Sequence, residues 1–284
     1  MLIDCVSIAA RLDERIARFA SEMRARGEAP QLCEIVATSA NSAISYSKTK
    51  ERKAEKLGIE FRVVRFGQSD PMEAVLQEVS RLCADPAIHG VLVGMPTFPH
   101  IDSERLLAVI PPHKDVDGLG PLNSHLVYSN QEHSAIAPAT AIAAIHVLET
   151  RTTVKGKRVA VIGRGRTVGR PVATMLGNRD ATVTLCHSRT PVDVLRDVVA
   201  ASDVVVSATG MPGVLQTDWF RPAQIVVDCG IAFADGKTRG DVDSLALDAA
   251  GVEVTPVPQG VGLVTNSMIF GNLARAIGLG TVNV

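Results

Sequence analysis

The 284-residue sequence has few aromatic side chains and almost no net charge. Aromatic residues make up 4% of the chain, and the formal net charge is −1. Proteins that bind single-stranded bases need aromatic stacking platforms, and proteins that bind nucleic-acid or membrane phosphates need an excess of Lys and Arg. The composition therefore predicts no nucleic-acid partner and no membrane partner.

Long apolar runs and a secretion signal are also missing. No stretch reaches the roughly 18 uninterrupted apolar residues of a membrane span, and the first residues do not follow the pattern of a signal peptide. The five cysteines are scattered and include no C-x-x-C pair. Such thiols are typical of a reducing compartment, so we predict a cytoplasmic protein.

The sequence shows no motif for metal binding or for serine hydrolysis. Its seven histidines never follow the H-x-x-x-H or H-E-x-x-H spacing that brings two imidazoles to one helix face. No G-x-S-x-G elbow is present. We therefore predict that the protein holds no metal.

The most informative segment is 157–169, where an apolar strand runs into a glycine-rich turn. The strand Val159–Ile162 is followed by Gly163, Gly165 and Gly169, and a helical pattern comes next. Glycines let the backbone approach a pyrophosphate, and the free N–H groups of a helix N-terminus favour anions. This strand–turn–helix context predicts a dinucleotide site at the three glycines.

The end of the next predicted strand indicates which dinucleotide binds. Ala181–Cys186 is rich in β-forming residues, and NAD-selective sites carry an acid near this end for the ribose 2′-hydroxyl. Here His187 and Ser188 take that place, and Arg164 and Arg166 can join them around a 2′-phosphate. NADP is predicted over NAD; the alternative is that Arg166 and Arg189 are solvated loop charges.

Strand and helix patterns alternate through both halves of the chain. Predicted strands lie at 31–37, 60–65, 90–93, 159–162, 181–186, 203–210 and 224–231. Predicted helices lie at 3–27, about 43–56, 71–83, 140–149, from 170 onward, and about 266–277, while 110–139 looks like loop. Near-continuous apolar runs separated by helices are typical of parallel strands buried on both faces. The chain is therefore predicted to be α/β, with two parallel-sheet domains.

The second of these domains is predicted to be a Rossmann-type dinucleotide-binding domain. We place it at 139–265, and we place the other, catalytic domain at 1–138 plus 266–284. Ligands of open α/β sheets bind at the carboxyl ends of the strands. A cleft between the two domains is therefore expected to hold the reactants.

Three further segments concentrate residues capable of chemistry. On a helix, Tyr46 and Lys50 share one face, so a stacking ring would lie beside a proton carrier; the alternative is a plain surface pair. In a Pro-rich loop, Asp115 fits a bracing role and Asp117 fits the polar edge of a ligand. Residues 255–262 contain two prolines and two glycines and form either a stiff wall for a ligand or a connecting loop.

Together and in this order, these segments resemble the bifunctional methylenetetrahydrofolate dehydrogenase/methenyltetrahydrofolate cyclohydrolase family. The likeness spans nearly the whole chain. Its seven ordered motifs are Tyr46-x-x-x-Lys50 and residues 110–118, 161–171, 186–190, 228–231, 240–242 and 255–262. The chain is identified as a divergent member of this family.

The resemblance implies roles for individual residues. Lys50 matches the catalytic lysine of the family, Tyr46 would stack on the aminobenzoyl ring of a folate, and Asp117 would hold its pterin. These three are the predicted catalytic residues, and the predicted substrate wall adds Val93, Pro258 and Gly262. Positions that match the cofactor lining of relatives are Thr140, Arg164, Gly165, Ser188, Cys229, Ile231 and Thr265. The resemblance also implies a homodimer paired through the nucleotide domain.

The chain departs from the family pattern on the substrate side. The glutamine that usually partners the catalytic lysine is Gly94, which removes a hydrogen-bond partner from Lys50. The resemblance therefore implies NADP-dependent oxidation of 5,10-methylenetetrahydrofolate to 5,10-methenyltetrahydrofolate, with the cyclohydrolase step to 10-formyltetrahydrofolate weakened or lost. The alternatives are a modified or non-standard folate-like substrate, and a non-catalytic paralogue that binds nucleotide or folate.

Overall fold

The computed structural model describes residues 1–234 and 237–278. The chain forms two compact units, each built around a parallel sheet. The three-stranded unit comprises 11–126, 131–139 and the residues from 266 onward; the five-stranded unit comprises 1–10, 127–130 and 140–265. Of the predicted catalytic segment 266–284, residues 279–284 lie outside the described residues.

The unit boundaries differ from the predicted ones at 1–10 and 127–130. The N-terminal residues join the five-stranded unit because their backbone pairs with its edge strand: Ile3 N–H donates to the Val254 carbonyl at 2.9 Å, and Val254 N–H donates to the Met1 carbonyl at 3.0 Å. The carbonyl of Val127 accepts a 2.9 Å hydrogen bond from the Asn178 amide of the same unit. Neither contact is visible in local sequence patterns.

The three-stranded sheet has the order β2-β1-β3, and all pairs are parallel. Its strands are β1 (Gln31–Val36), β2 (Glu60–Arg65) and β3 (Gly90–Gly94). The helices of this half of the sequence are α1 (Cys5–Ala25), α2 (Asn41–Leu57), α3 (Met72–Ala84), α4 (Ser103–Ala108) and α5 (Pro121–Tyr128). The central strand β1 is almost wholly buried and pairs with β2 at one edge and β3 at the other, as is typical of the middle strand of a parallel sheet. The predicted parallel sheet of the first domain, with helices between its strands, is confirmed.

Two predictions of local structure were wrong. Residues 110–139 are not all loop, since they include α5 and a short 3₁₀ turn at Glu132–Ser134. Helix α5 begins at Pro121, whose fixed φ suits a first helical turn, but its eight residues show no clear apolar stripe. The last helix, α10 (Val261–Ala276), begins five residues before the predicted start because Gly262 lies inside its first turn and disguises the helical pattern.

The five-stranded sheet has the order β10-β7-β6-β4-β5, and all pairs are parallel. Its strands are β4 (Arg158–Ile162), β5 (Thr182–Cys186), β6 (Val204–Ser207), β7 (Ile225–Asp228) and β10 (Glu253–Val254). The helices are α6 (Ala139–Glu149), α7 (Gly169–Asn178), α8 (Val192–Ala201) and α9 (Ser244–Ala249), and a separate antiparallel pair joins β8 (Ala232–Ala234) to β9 (Lys237–Arg239).

Strand β4 has β5 on one side and β6 on the other. The chain therefore reverses direction across the sheet at the carboxyl end of β4, and this is the point where open α/β sheets bind dinucleotides. The predicted α/β class, with a Rossmann-type second sheet, is confirmed. Among the described residues, no helix combines the length and the apolar character needed to cross a bilayer.

Candidate active site

Helix α2 brings Lys50 into the interior of the three-stranded unit. Only 3% of Lys50 is exposed, and its ammonium nitrogen lies 2.7 Å from Oε1 of Glu34. The same nitrogen lies 4.1 Å from the centroid of the Tyr46 ring, one helical turn earlier on the same face. The structure thus places the predicted Tyr46 and Lys50 side by side and adds a carboxylate to them.

Sequence reasoning missed Glu34. It lies in the middle of the central strand β1 and is fully buried, and its Oε2 accepts a 2.6 Å hydrogen bond from the Ser47 hydroxyl. Charged residues are almost never fully buried unless they are paired. The available signal was this one acid inside the otherwise apolar run 32–37, because such an acid needs a buried partner.

Gly94, where the resemblance implies a glutamine, adjoins this carboxylate. A Cβ atom added to Gly94 would lie 3.5 Å from Oε1 of Glu34 and 3.4 Å from the carbonyl oxygen of Ile35. Strands β1 and β3 are direct neighbours, with Val36 paired to Gly94. The room beside Gly94 is therefore bordered by the oxygen that meets Lys50.

Asp117 lies close enough to Lys50 and Glu34 for their charges to shift its pKa. Burial raises the pKa of Asp117 to about 6, helped by the negative charges of Asp115 and Glu34 and opposed by Lys50. Desolvation also raises the pKa of the Tyr46 hydroxyl, followed by the charges of Asp117 and Glu34, so the phenol stays protonated at neutral pH. The three predicted catalytic residues are thus brought together.

Asp115 braces the loop that carries Asp117. Its carboxylate accepts hydrogen bonds from the Gly120 N–H at 2.7 Å and from the Asn123 amide at 3.0 Å. Burial raises the pKa of Asp115, and these hydrogen bonds oppose the rise. A Cβ on Gly120 would lie 2.8 Å from an Asp115 oxygen, so only glycine leaves room for this brace.

The other predicted substrate residues lie in different places. Val93 is buried in β3, directly before Gly94. Pro258 is exposed in the five-stranded unit, and Gly262 lies in the first turn of α10, where an added Cβ would be 3.7 Å from Cδ1 of Ile231. Residues 255–260 form a loop, and Val261 and Gly262 begin α10. The predicted wall is therefore partly loop and partly helix.

A cavity of about 640 Å³ opens at the carboxyl end of β4, within the five-stranded unit. Its lining includes five of the predicted cofactor residues, which are Gly163, Arg164, Gly165, His187 and Ser188. The lining from the end of β6, Ala208 and Thr209, is where strand ends of an open α/β sheet are expected to meet a ligand, whereas sequence reasoning missed the later residues Met211, Gln216 and Trp219. The remaining predicted cofactor residues lie outside this cavity lining; they are Thr140, Arg166, Gly169, Cys229, Ile231 and Thr265.

The three glycines of the turn have different reasons to be glycine. A Cβ on Gly163 would collide with the Ala208 carbonyl, and one on Gly169 would collide with the Gly163 carbonyl. Around Gly165, in contrast, no atom lies within 4 Å of the added Cβ. Gly163 and Gly169 therefore allow close packing of the backbone, whereas Gly165 faces open space suited to a phosphate.

Hydrogen bonds within the tip of β5 hold His187, which lines the cavity. The N–H of Arg189 donates to Nδ1 of His187 at 3.2 Å, and the N–H of His187 donates to the Thr190 hydroxyl at 3.0 Å. Because Nδ1 is an acceptor, the proton of a neutral His187 is assigned to Nε2, which is then a donor. Desolvation lowers the pKa of Arg166, which remains a cation.

Two buried aspartates fix the loops after β6 and β7. Asp241 accepts hydrogen bonds from the Ser207 hydroxyl at 2.6 Å and from the N–H of Thr209 at 2.7 Å, which sets the cavity wall. Burial raises the pKa of Asp228 to about 7. Burial also raises the pKa of the neighbouring Cys229 well above its usual range, so this thiol is not a reactive thiolate. In the described part of the chain, no three His, Cys, Asp or Glu side chains are grouped to hold a metal ion.

Comparison with known proteins matches both units to one family. The family model described as tetrahydrofolate dehydrogenase/cyclohydrolase, catalytic domain, matches residues 3–117, and the one described as its NAD(P)-binding domain matches residues 138–279. The bifunctional protein FolD of Thermotoga maritima is 40% identical over 278 residues, covering 97% of this chain and 98% of its own length. The bifunctional protein FolD of an Exiguobacterium strain is 34% identical and covers 99% of both chains.

Solved structures agree with these matches. The bifunctional FolD dehydrogenase/cyclohydrolase of Campylobacter jejuni has a TM-score of 0.93 and 30% identity over 98% of both chains. The FolD of Trypanosoma brucei, in complex with NADP and an inhibitor, has a TM-score of 0.92 and 35% identity over 98% of this chain and 97% of its own. The predicted family, enzyme class and nicotinamide dinucleotide cofactor are confirmed. This chain belongs to the tetrahydrofolate dehydrogenase/cyclohydrolase family.

Proposed function

We propose that this enzyme oxidises 5,10-methylenetetrahydrofolate to 5,10-methenyltetrahydrofolate with NADP⁺, and that its cyclohydrolase step is weak or lost. The observation that carries the proposal is the environment of Lys50. Gly94 offers Lys50 no amide, and the polar group 2.7 Å from its ammonium is a carboxylate. Lys50, Tyr46 and Asp117 are retained, while the neutral partner of the lysine is not.

The dehydrogenase step tolerates this change. A hydride leaves the methylene carbon for the nicotinamide, and the adjacent substrate nitrogens stabilise the iminium ion that forms, so no protein acid or base is required. Catalysis then depends on holding the carbon and the nicotinamide about 3–3.5 Å apart. In this proposal Tyr46 stacks on the folate and Asp117 accepts hydrogen bonds from its pterin.

The cyclohydrolase step depends more strongly on the partner of Lys50, so it is more sensitive to the lack of an amide at Gly94. Water must add to the methenyl carbon and lose a proton, and that transfer depends on a well-aimed group of suitable proton affinity. Loss of one aligned partner at a reacting centre typically costs on the order of 10² to 10³ in rate. The methenyl product is therefore expected to be released before it is hydrolysed.

The NADP preference is proposed to come from Arg164, His187 and Ser188, which line one cavity. An arginine, an Nε2–H donor and a hydroxyl suit a 2′-phosphate, and no acid replaces them at the tip of β5. The NADP bound to the Trypanosoma brucei relative supports NADP as the dinucleotide. Arg166, outside this cavity lining, is left out of it.

A single-turnover experiment tests the proposal. The enzyme is mixed with methylenetetrahydrofolate and NADP⁺, and NADPH, methenyltetrahydrofolate and formyltetrahydrofolate are measured over time. We expect NADPH and methenyl product to rise together and formyl product to lag. Formyl product that keeps pace with NADPH would overturn the weak cyclohydrolase, and no NADPH at all would overturn the dehydrogenase.

The variant Arg164→Gln tests whether Arg164 binds the 2′-phosphate of NADP⁺. Arg164→Gln should weaken NADP⁺ binding by about tenfold to a hundredfold and leave NAD⁺ binding within about threefold, since charge-assisted hydrogen bonds contribute about 1.5–3 kcal/mol. The exposed Arg196 on α8 supplies the control, Arg196→Gln. Equal losses for both nucleotides would show that Arg164 does not read the 2′-phosphate.

A modified folate is the less favoured substrate. It would require Thr97 and Phe98, which stand where the resemblance implies Leu-Pro, to reshape the substrate pocket. Phe98 packs into the apolar core of the three-stranded unit, and the Thr97 hydroxyl donates to the Ile101 carbonyl at 3.1 Å. The contacts of these two divergent residues therefore stabilise their own loop.

We also propose a cytoplasmic homodimer. All five cysteines are free thiols, which is typical of a reducing compartment. Light scattering should give about twice the 30.1 kDa mass of one chain.

A further inference from the structure

We infer that Glu34 is a positioning residue for Lys50: from strand β1 it replaces the partner that β3 lacks at Gly94, and it holds the lysine as an ammonium ion. No sequence motif assigns a role to Glu34. The catalytic consequence rests on the proposed function, whereas the state of the lysine is a property of the protein alone.

The pair is built as an enclosed ion pair. Glu34 is 0% exposed and Lys50 is 3% exposed, and charges at such depth persist when they meet an opposite charge. The Ser47 hydroxyl donates to Oε2 at 2.6 Å, which leaves Oε1 directed at the ammonium 2.7 Å away. Ser47 and Lys50 lie three residues apart on α2, so one helix face orients both ends of the contact.

The aromatic neighbour favours the same charge state. The Lys50 ammonium lies 4.1 Å from the centroid of the Tyr46 ring, and an aromatic face attracts a cation more strongly than a neutral amine. A carboxylate at 2.7 Å has the same preference, and a full negative charge exerts it more strongly than the dipole of an amide. Both contacts are of the kind that stabilises a positive charge.

Gly94 lies directly beside the carboxylate of Glu34. A Cβ at position 94 would lie 3.5 Å from Oε1, the oxygen that meets Lys50, and 3.4 Å from the Ile35 carbonyl. A methyl group fits at these distances, but a longer side chain directed at Lys50 would compete with the carboxylate. The absence of a side chain at Gly94 therefore leaves the contact with Lys50 to Glu34, and the two positions depend on each other.

The chemical consequence follows from where the proton must go. When water adds to the methenyl carbon, a C–O bond forms and a proton leaves the water for a base; the bond from that carbon to N5 then breaks, N5 takes up a proton, and the formyl group stays on N10. A lysine that already holds three protons cannot accept another. Lys50 instead acts as a hydrogen-bond donor, and its pairing with Glu34 leaves no net charge beside the cationic methenyl product.

The isosteric variant Glu34→Gln tests the inference. Removing the carboxylate while keeping the shape should increase hydrolysis of added methenyltetrahydrofolate at least about tenfold near pH 9, since one unit of proton affinity corresponds to a tenfold change in neutral amine. Its pH profile should rise with pH where that of the unaltered enzyme stays low. Ser47→Ala is the matched control, because it removes a hydrogen bond to the same carboxylate and keeps the charge; it should give no such gain.

A second readout does not depend on folate turnover. In protein labelled with ¹⁵N-lysine, the Nζ signal of Lys50 is identified by its loss in Lys50→Arg. We expect the ammonium signal to persist to a higher pH in the unaltered enzyme than in Glu34→Gln. Identical titrations in two folded proteins would overturn the inference. If Glu34→Gln does not fold, Glu34→Asp, which withdraws the charge by one methylene, should show the same direction, and no change there also overturns it.

The two proposals fail in different ways. Absence of NADPH formation by the unaltered enzyme rejects the proposed function and leaves the Nζ titration intact. Equal Nζ titrations reject the role of Glu34 and leave the dehydrogenase intact.

Discussion

The ammonium of Lys50 lies 4.1 Å from the centroid of the Tyr46 ring, so the two residues form one cation–aromatic pair on a single face of α2. Tyr46 is 37% exposed, whereas Lys50 is almost wholly enclosed. One face of the tyrosine therefore contacts the lysine, and part of the ring stays accessible to a planar ligand.

This geometry predicts that the ring matters more than its hydroxyl. Tyr46→Phe should keep the KM for methylenetetrahydrofolate within about threefold, since Phe retains the aromatic face. Tyr46→Leu should raise this KM about tenfold, because it removes stacking worth about 0.5–1.5 kcal/mol. Steady-state kinetics at saturating NADP⁺ measures both values. A large rise in KM for Tyr46→Phe would instead place the hydroxyl in contact with substrate.

The enclosed ion pair predicts an unusual stability pattern. Lys50→Met should lower the free energy of unfolding by about 3–5 kcal/mol, because it leaves the Glu34 carboxylate buried without a cation. The double variant Lys50→Met/Glu34→Gln should recover most of that loss, since no unpaired charge remains. Denaturant unfolding measures each variant.

The exposed Lys48 on the same helix provides the control for this series. Lys48→Met should change the free energy of unfolding by no more than about 0.5 kcal/mol. A double variant as unstable as Lys50→Met alone would show that the lysine stem, and not the charge balance, supplies the stability.

The sheets could be predicted because their signals are local. The predicted strand 60–65 matches β2 residue for residue, and the apolar runs of β6 and β7 are each followed by small residues. Helix α5 was missed because it is short and starts at a proline within a loop-like composition. The first turn of α10 was missed because Gly262 interrupts the pattern.

The site could be predicted only where it depends on one element. Tyr46 and Lys50 share a helix face, which the spacing of four residues reveals. Glu34 reaches Lys50 because β1 packs beside α2, and Met211 and Trp219 reach the cavity from the irregular chain that follows β6. Both contacts depend on the arrangement of distant elements, which local patterns do not encode.

The glycine turn predicts opposite effects for two similar substitutions. Gly169→Ala should strongly destabilise the protein, because the new methyl group collides with the Gly163 carbonyl. Gly165→Ala should leave the melting temperature within a few degrees and weaken NADP⁺ binding about tenfold or more, because its methyl group fills space where a phosphate approaches. Calorimetry and NADP⁺ titration separate the two effects. Undiminished NADP⁺ binding by Gly165→Ala would place the pyrophosphate elsewhere.

The raised pKa of Asp117, about 6 rather than 3.8, makes folate binding depend on pH. Burial is the main cause, so the folded protein takes up this proton more readily than the unfolded chain does. The contribution of this group to the free energy of unfolding therefore falls as the pH rises from about 4 to about 6.

Substrate binding should show the opposite trend. A carboxylate accepts hydrogen bonds from the pterin, whereas the protonated acid loses part of that capacity, so the KM for methylenetetrahydrofolate should rise as the pH falls through about 6. Below that midpoint the rise should approach tenfold per pH unit. Asp117→Asn should raise the KM and abolish this limb between about pH 5 and pH 8, whereas Glu51→Gln, an exposed position on α2, should preserve it. A limb that survives in Asp117→Asn would assign the titration to another group and separate Asp117 from the pterin.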